Sequence, residues 1–130
     1  MNAMSKARRW LALGGLVAGA TTLTGCSYDY WVQFQYLTAA PPDVVIEYER
    51  IQIPEGIAAA VLATPMRDDD ELDEDIPVDL VSRRANIIGA DQGLESRQFV
   101  LYGVQPGTTW IDVYFEDNFI CEIPATVISP

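Results

Sequence analysis

Between Ile111 and Val127 apolar and polar residues trade places at almost every step. Ile111, Val113 and Phe115 alternate with Asp112, Tyr114 and Glu116; after Asp117-Asn118 the alternation resumes with Phe119, Cys121, Ile123, Ala125 and Val127. A period of two belongs to a pleated strand with one face in a core and one in water. Asp and Asn tolerate left-handed backbone, so Asp117-Asn118 reads as the two-residue turn of a hairpin. Pro124 has no ladder donor, which predicts that its strand lies at a sheet edge or is bulged there.

The same grammar recurs upstream. Val44 to Ile53, Ala58 to Thr64, Val78 to Val81, Ala85 to Gly89 and Gln98 to Tyr102 are strand-like runs, and Thr108 to Phe115 and Phe119 to Ile128 form the hairpin. Pro54-Glu55-Gly56, Gly93, Gly103 and Pro106-Gly107 punctuate them. Ile57 to Leu62 taken alone is compatible with a helix, but no longer window has a helical apolar period. Short strands at this spacing predict an all-β antiparallel sandwich or barrel of about seven strands. With 130 residues, 49% of them hydrophobic, one modest domain with a packed core is within reach.

The N-terminus has a different plan. Lys6, Arg8 and Arg9 precede an apolar stretch from Trp10 to Ala20, followed by small or apolar residues up to Gly25. This is the layout of a secretory signal, and the stretch is shorter than the ~20 residues that span a bilayer. Leu23-Thr24-Gly25-Cys26 resembles a bacterial lipobox. The resemblance implies cleavage between Gly25 and Cys26, a diacylglyceryl thioether on Cys26 and an acylated new amino terminus. Each buried methylene contributes about 0.8 kcal/mol, and more than one chain makes anchoring effectively stable. Ser27 stands where inner-membrane retention usually shows Asp, so the resemblance favours an outer-membrane destination, periplasmic or surface facing. With Cys26 lipidated, Cys121 reads as a small core residue of an apolar strand.

Residues 1–25 are thus expected to be signal peptide, 26–43 a lipidated aromatic-rich segment, and 44–130 the sandwich, starting after Pro41-Pro42. In the middle segment Tyr28, Tyr30, Val32, Phe34 and Tyr36 share one face at period two, and Asp29, Trp31, Gln33 and Gln35 the other. That alternation favours a half-buried strand over an interfacial aromatic anchor. Tyr28, Tyr30, Trp31, Phe34 and Tyr36 are the candidate interaction residues.

Gly103-Val104-Gln105-Pro106-Gly107-Thr108-Thr109-Trp110-Ile111-Asp112-Val113 resembles the late-strand signature of group-2 bacterial immunoglobulin-like domains. Ile53-Pro54-Glu55-Gly56 and Thr64-Pro65 are similar to that family's earlier turn and strand end, and Val78 to Asp91 to its central strand pair. The resemblance covers about Val44 to Ile128 and implies an immunoglobulin-like β-sandwich. In place of the family's usual central Trp and serines stands Leu80-Val81-Ser82-Arg83-Arg84, so packing there has to differ.

Charge and chemistry exclude several functions. The chain has 19 acidic and 8 basic side chains and a net charge of -11. Beyond Cys26 the cations are Arg50, Arg67, Arg83, Arg84 and Arg97, and such an acidic field repels nucleic acid. There is no histidine, and Lys6 lies in the signal, which removes Ser-His and Ser-Lys pairs, lysine Schiff bases and histidine metal sites. A carboxylate-only hydrolase is the remaining, disfavoured enzyme reading. Asp68-Asp69-Asp70-Glu71-Leu72-Asp73-Glu74-Asp75 reads as a solvated, mobile loop. Calcium on Asp68, Asp70, Asp73 and Asp75 is the alternative, but Leu72 falls at a ligand position of the EF-hand spacing. Arg83, Arg84 and Arg97 read as surface balance. The expectation is a lipid-anchored envelope protein, not an enzyme and without cofactor or small-molecule substrate, acting as a scaffold or adhesion module. Its partner would be a protein or polymer of the envelope; a calcium- or polycation-responsive module is the alternative.

Overall fold

The computed structural model describes residues 29–130. The signal, the cleavage site at Gly25 and Cys26, and Tyr28 lie outside the described residues. All regular structure in 29–130 is strand: β1 Tyr30–Tyr36, β2 Val45–Ile46, β3 Ile51–Pro54, β4 Ala58–Arg67, β5 Asp70–Glu71, β6 Val78–Ser82, β7 Ile88–Gln92, β8 Gln98–Gly103, β9 Gly107–Phe115 and β10 Asn118–Ile128. No helix there is long and apolar enough to cross a membrane. One sheet runs β1-β4-β8-β7 with β5 beside β4, and the other β2-β3-β10-β9-β6. A single core joins them, with Val32, Val61, Phe99 and Leu101 from the first and Ile53, Ile111, Val113 and Ile123 from the second.

The all-β expectation holds, with ten strands where about seven are expected. Val44 to Ile53 is two short strands, because the chain turns between them and the Glu47 amide donates to the Arg50 carbonyl at 2.9 Å. Ala85 to Gly89 slides forward to Ile88–Gln92, since the Ile87 amide closes a turn on the Arg84 carbonyl. Ile57 to Leu62 joins β4, where Ala59, Val61 and Ala63 point inward at a period of two. The aromatic segment is the strand its alternation predicts: β1 lies antiparallel along β4 from Tyr30↔Arg67 to Tyr36↔Val61, and Val32 is wholly buried.

The hairpin between β9 and β10 is offset by one residue. Glu116 and Asp117 hold the left-handed conformations, at φ 50° and 67°, and Asn118 already pairs with Phe115. A register shift between Phe119 and Cys121 then restores Cys121 to the core but leaves Phe119 53% exposed. Pro124 is not on an edge strand: β10 is flanked by β9 on one side and β3 on the other. It is tolerated because β3 begins its pairing only at Ala125, one residue later.

Two turns meet at Gly103. The Gly56 amide donates to the Gly103 carbonyl at 2.9 Å, and the Gly103 amide to the Ile57 carbonyl at 3.0 Å. A Cβ on Gly103 would stand 2.5 Å from the Pro54 carbonyl oxygen, and Gly56 has φ +81°, so both positions require glycine.

Candidate functional site

On β9 the inward residues Ile111 and Val113 alternate with outward Trp110 and Asp112. Register places Asp112 opposite Glu122 and Trp110 opposite Pro124 on β10. Two carboxylates facing each other across strands repel. Arg83, just past the end of β6, answers both. Its Nε donates to Asp112 Oδ1 and Oδ2 at 3.0 and 3.1 Å, its Nη2 pairs with Glu122, and its guanidinium lies 5.8 Å from the centre of the Trp110 ring. The bonds to Asp112 and then Glu122 hold the Arg83 guanidinium even more firmly protonated than usual. Arg83 balances surface charge, as expected, and it does so between two carboxylates that face each other across the strands of the second sheet.

Beside this cluster lies a concavity of about 410 Å³, lined by Arg83, Arg84, Thr108, Trp110, Pro124 and Thr126. Thr108 and Thr126 are register partners, so their hydroxyls sit side by side on neighbouring strands. Arg84 makes no ion pair among the described residues. The site therefore offers an aromatic ring, hydroxyls and one uncommitted cation on an acidic protein. The signal for it was an alternating strand with polar and aromatic residues on its wet face; which residues converge there depends on register.

The aromatic candidates of β1 are spread over two places. Trp31 packs against Tyr48 with ring centres 5.1 Å apart, and its Nε1 donates to the Asp68 carbonyl at 2.7 Å. Trp31 and Phe34 line a second concavity with Ile46 and Tyr48. Tyr36 accepts a hydrogen bond from the Ile46 amide at 2.9 Å, tying β1 to β2. Tyr30 belongs to the other place, an apolar hollow of about 360 Å³ with Leu72, Ile76, Phe115 and Ile120, and the Arg67 guanidinium lies 5.7 Å from its ring centre.

The acidic run opens as a strand hairpin, where a loop is expected. Asp70 and Glu71 pair with Arg67 and Met66, Asp68 takes φ 53° in the intervening turn, and the Leu72 amide donates to the Pro65 carbonyl. Arg97 holds it from beneath. Only 8% exposed, its guanidinium donates to the carbonyls of Ile76 and Asp73 and reaches the Glu71 carboxylate at 3.5 Å. The surface reading of Arg97 is thereby corrected: its buried guanidinium donates to the Ile76 carbonyl and adds a second donor to the Asp73 carbonyl, which also accepts from the Ile76 amide, and a long cationic side chain reaches both. Asp68, Asp70, Asp73 and Asp75 do not converge, and among the described residues no group of three or more His, Cys, Asp or Glu is placed to hold a metal ion.

Cys121 is buried in β10, as expected of a core cysteine, but its sulfur is engaged in a disulfide. The other cysteine of the sequence, Cys26, is outside the described residues.

No protein-family model and no curated protein matches the sequence. Among solved structures the chain is similar to domains 4 and 5 of the S-layer protein SbsC, with a TM-score of 0.49 and 16% identity over 65% of this chain, and it spans 50% of that chain's length.

Proposed function

We propose that this chain is a non-catalytic module of the bacterial cell envelope that binds an envelope polymer or protein through the outer face of its second sheet. The observation that carries the reading is the concavity beside Trp110. There the uncommitted Arg84 and the paired hydroxyls of Thr108 and Thr126 suit a ligand bearing carboxylate and hydroxyl groups. Trp110 supplies a flat apolar surface for it, and Arg83, already held by two carboxylates, keeps that surface rigid.

An immunoglobulin-like assignment is supported by connectivity. The first sheet has the order of an A-B-E-D sheet, with β1, β4, β8 and β7 in those places, and β6, β9 and β10 follow as C-F-G. The two turn motifs that resemble the group-2 family are the ones that clasp at Gly103.

Crosslinking in membranes tests the partner. A complex captured with the wild-type chain and lost in Trp110→Ala and Arg84→Glu supports the reading, and a complex retained by both variants overturns it. The intact mass of the mature chain tests the sulfur chemistry: a loss of two hydrogens agrees with the disulfide at Cys121, and an added diacylglycerol on Cys26, the lipid that the sequence motif implies, overturns it.

A further inference from the structure

Two backbone hydrogen bonds fix which groups of β1 face an open edge. The Asp68 amide donates to the Asp29 carbonyl at 2.7 Å, and the Leu37 amide donates to the Ala60 carbonyl at 3.0 Å. In an antiparallel ladder a residue turns its N–H and C=O to one side and its neighbour turns them to the other. Asp29 and Leu37 are an even number of residues apart and both face β4, and the register between them runs without a shift from Tyr30↔Arg67 to Tyr36↔Val61. Trp31, Gln33 and Gln35 therefore face β4 as well. Tyr30, Val32, Phe34 and Tyr36 turn their amides and carbonyls the other way, and among the described residues no strand pairs with that side of β1.

An open edge is a template for pairing, and the other edges of this sandwich are blunted against it. β2 is two residues long, β6 carries Asp79 and β7 carries Asp91. β1 has seven residues, Tyr-Trp-Val-Gln-Phe-Gln-Tyr, with no charge, proline or glycine. Beside it runs a concavity of about 410 Å³, with Trp31, Gln33 and Phe34 on one wall and Ile46, Glu47 and Glu49 on the other. Glu47 and Glu49 are exposed, and no basic residue lines the concavity. The bond from the Ile46 amide to the Tyr36 hydroxyl ties the two walls together, so the groove has its shape before any guest arrives.

We propose that the outer edge of β1 docks an extended, basic segment of another protein, which adds a strand to the first sheet and lays its Lys or Arg side chains against Glu47 and Glu49. Main-chain bonds to Val32 and Phe34 supply affinity, and apolar side chains of the guest meet Phe34 and Ile46. A second copy of this chain fits the groove poorly, because it brings its own Glu47 and Glu49 and its own excess of acid to the same place. This surface lies on the first sheet and is independent of the concavity beside Trp110.

The probe is a blocked heptapeptide of alternating lysine and valine, titrated into the folded protein while amide hydrogen exchange is followed residue by residue. In the free protein the amides of Phe34 and Tyr36 are expected to exchange fast and those of Gln33 and Gln35 slowly; the reverse pattern overturns the edge assignment. With peptide bound, Phe34 and Tyr36 are expected to slow by about tenfold or more, and no slowing at millimolar peptide overturns the site. Phe34→Pro removes one outward N–H and leaves the β4 ladder intact, a substitution that edge strands tolerate. It is expected to weaken binding about tenfold beyond Phe34→Ala, and equal weakening by the two assigns the effect to the ring and overturns strand addition. Glu47→Gln combined with Glu49→Gln changes only exposed side chains and keeps the test independent of folding. Several-fold weaker binding of the lysine peptide is expected, and unchanged binding overturns the charge match. A chain that sediments as a dimer, and loses the dimer in Phe34→Pro, overturns the choice of occupant in favour of a second copy.

Discussion

Single side chains do unequal work in this protein, and the arginines show it best. Arg97 occupies a left-handed backbone position, at φ 71°, and its own carbonyl accepts from the Ala63 amide at 2.7 Å. Its guanidinium satisfies two carbonyls of the segment above it. Arg97→Ala is expected to cost about 1–3 kcal/mol, because the carbonyls of Asp73 and Ile76 lose a buried donor, and urea unfolding measures it. Arg83 is more exposed, and its removal is expected to cost less, about 0.5–1 kcal/mol, by leaving Asp112 opposite Glu122. Adding Glu122→Gln to Arg83→Ala should recover most of that loss in a double-mutant cycle. If it does not, repulsion is not what Arg83 relieves. Tyr102 carries the pH dependence that geometry makes visible. Its hydroxyl donates to Asp91 Oδ2 at 3.1 Å, and this bond, then the Asp91 charge, raises the phenol above its ordinary range. A raised folded value favours the folded state fully below the unfolded tyrosine value of about 10, and the benefit is lost as pH climbs through the folded one. Tyr102→Phe is expected to flatten the alkaline limb of the stability curve.

At the level of elements, β1 has the most to lose. It supplies Val32 to the core and completes the β4 ladder over seven residues, so the sandwich is built from Tyr30 onward and not from residue 44 alone. Val32→Ala is expected to cost about 2 kcal/mol in chemical unfolding. A chain starting at 44 should lose cooperative unfolding, because it exposes β4 as an unpaired edge and opens the core beneath it. The alternation of β1, β9 and β10 made their existence readable, since period two is a local property of the chain. The offset of the β9–β10 turn was not readable in the same way. Glu116 takes a left-handed conformation that its residue type does not advertise, because pairing of Asn118 with Phe115 and the shift before Cys121 set the register. Pro124 failed as an edge signal for a related reason: what matters is where the neighbouring strand starts, and β3 starts one residue later.

For the molecule as a whole, charge is distributed by the fold. The acidic run from Asp68 to Asp75 and the β9–β10 turn are distant in sequence and share one end of the sandwich. Their mutual repulsion opposes the compact state, so raising monovalent salt is expected to increase the melting temperature, and an unchanged or lower value would show that the repulsion is already relieved. Alternation, glycine-bearing turns and the absence of histidine were written in the sequence alone, and they determined strand content and the exclusion of histidine-based chemistry. The candidate site was decided only by tertiary structure. Arg83 meets Asp112 and Glu122, and Arg97 meets Ile76, Asp73 and Glu71, across gaps of more than twenty residues in the chain. Local pattern sets which way a side chain faces; strand register and sheet order set which side chain it faces, and those are fixed when the two sheets close over one core.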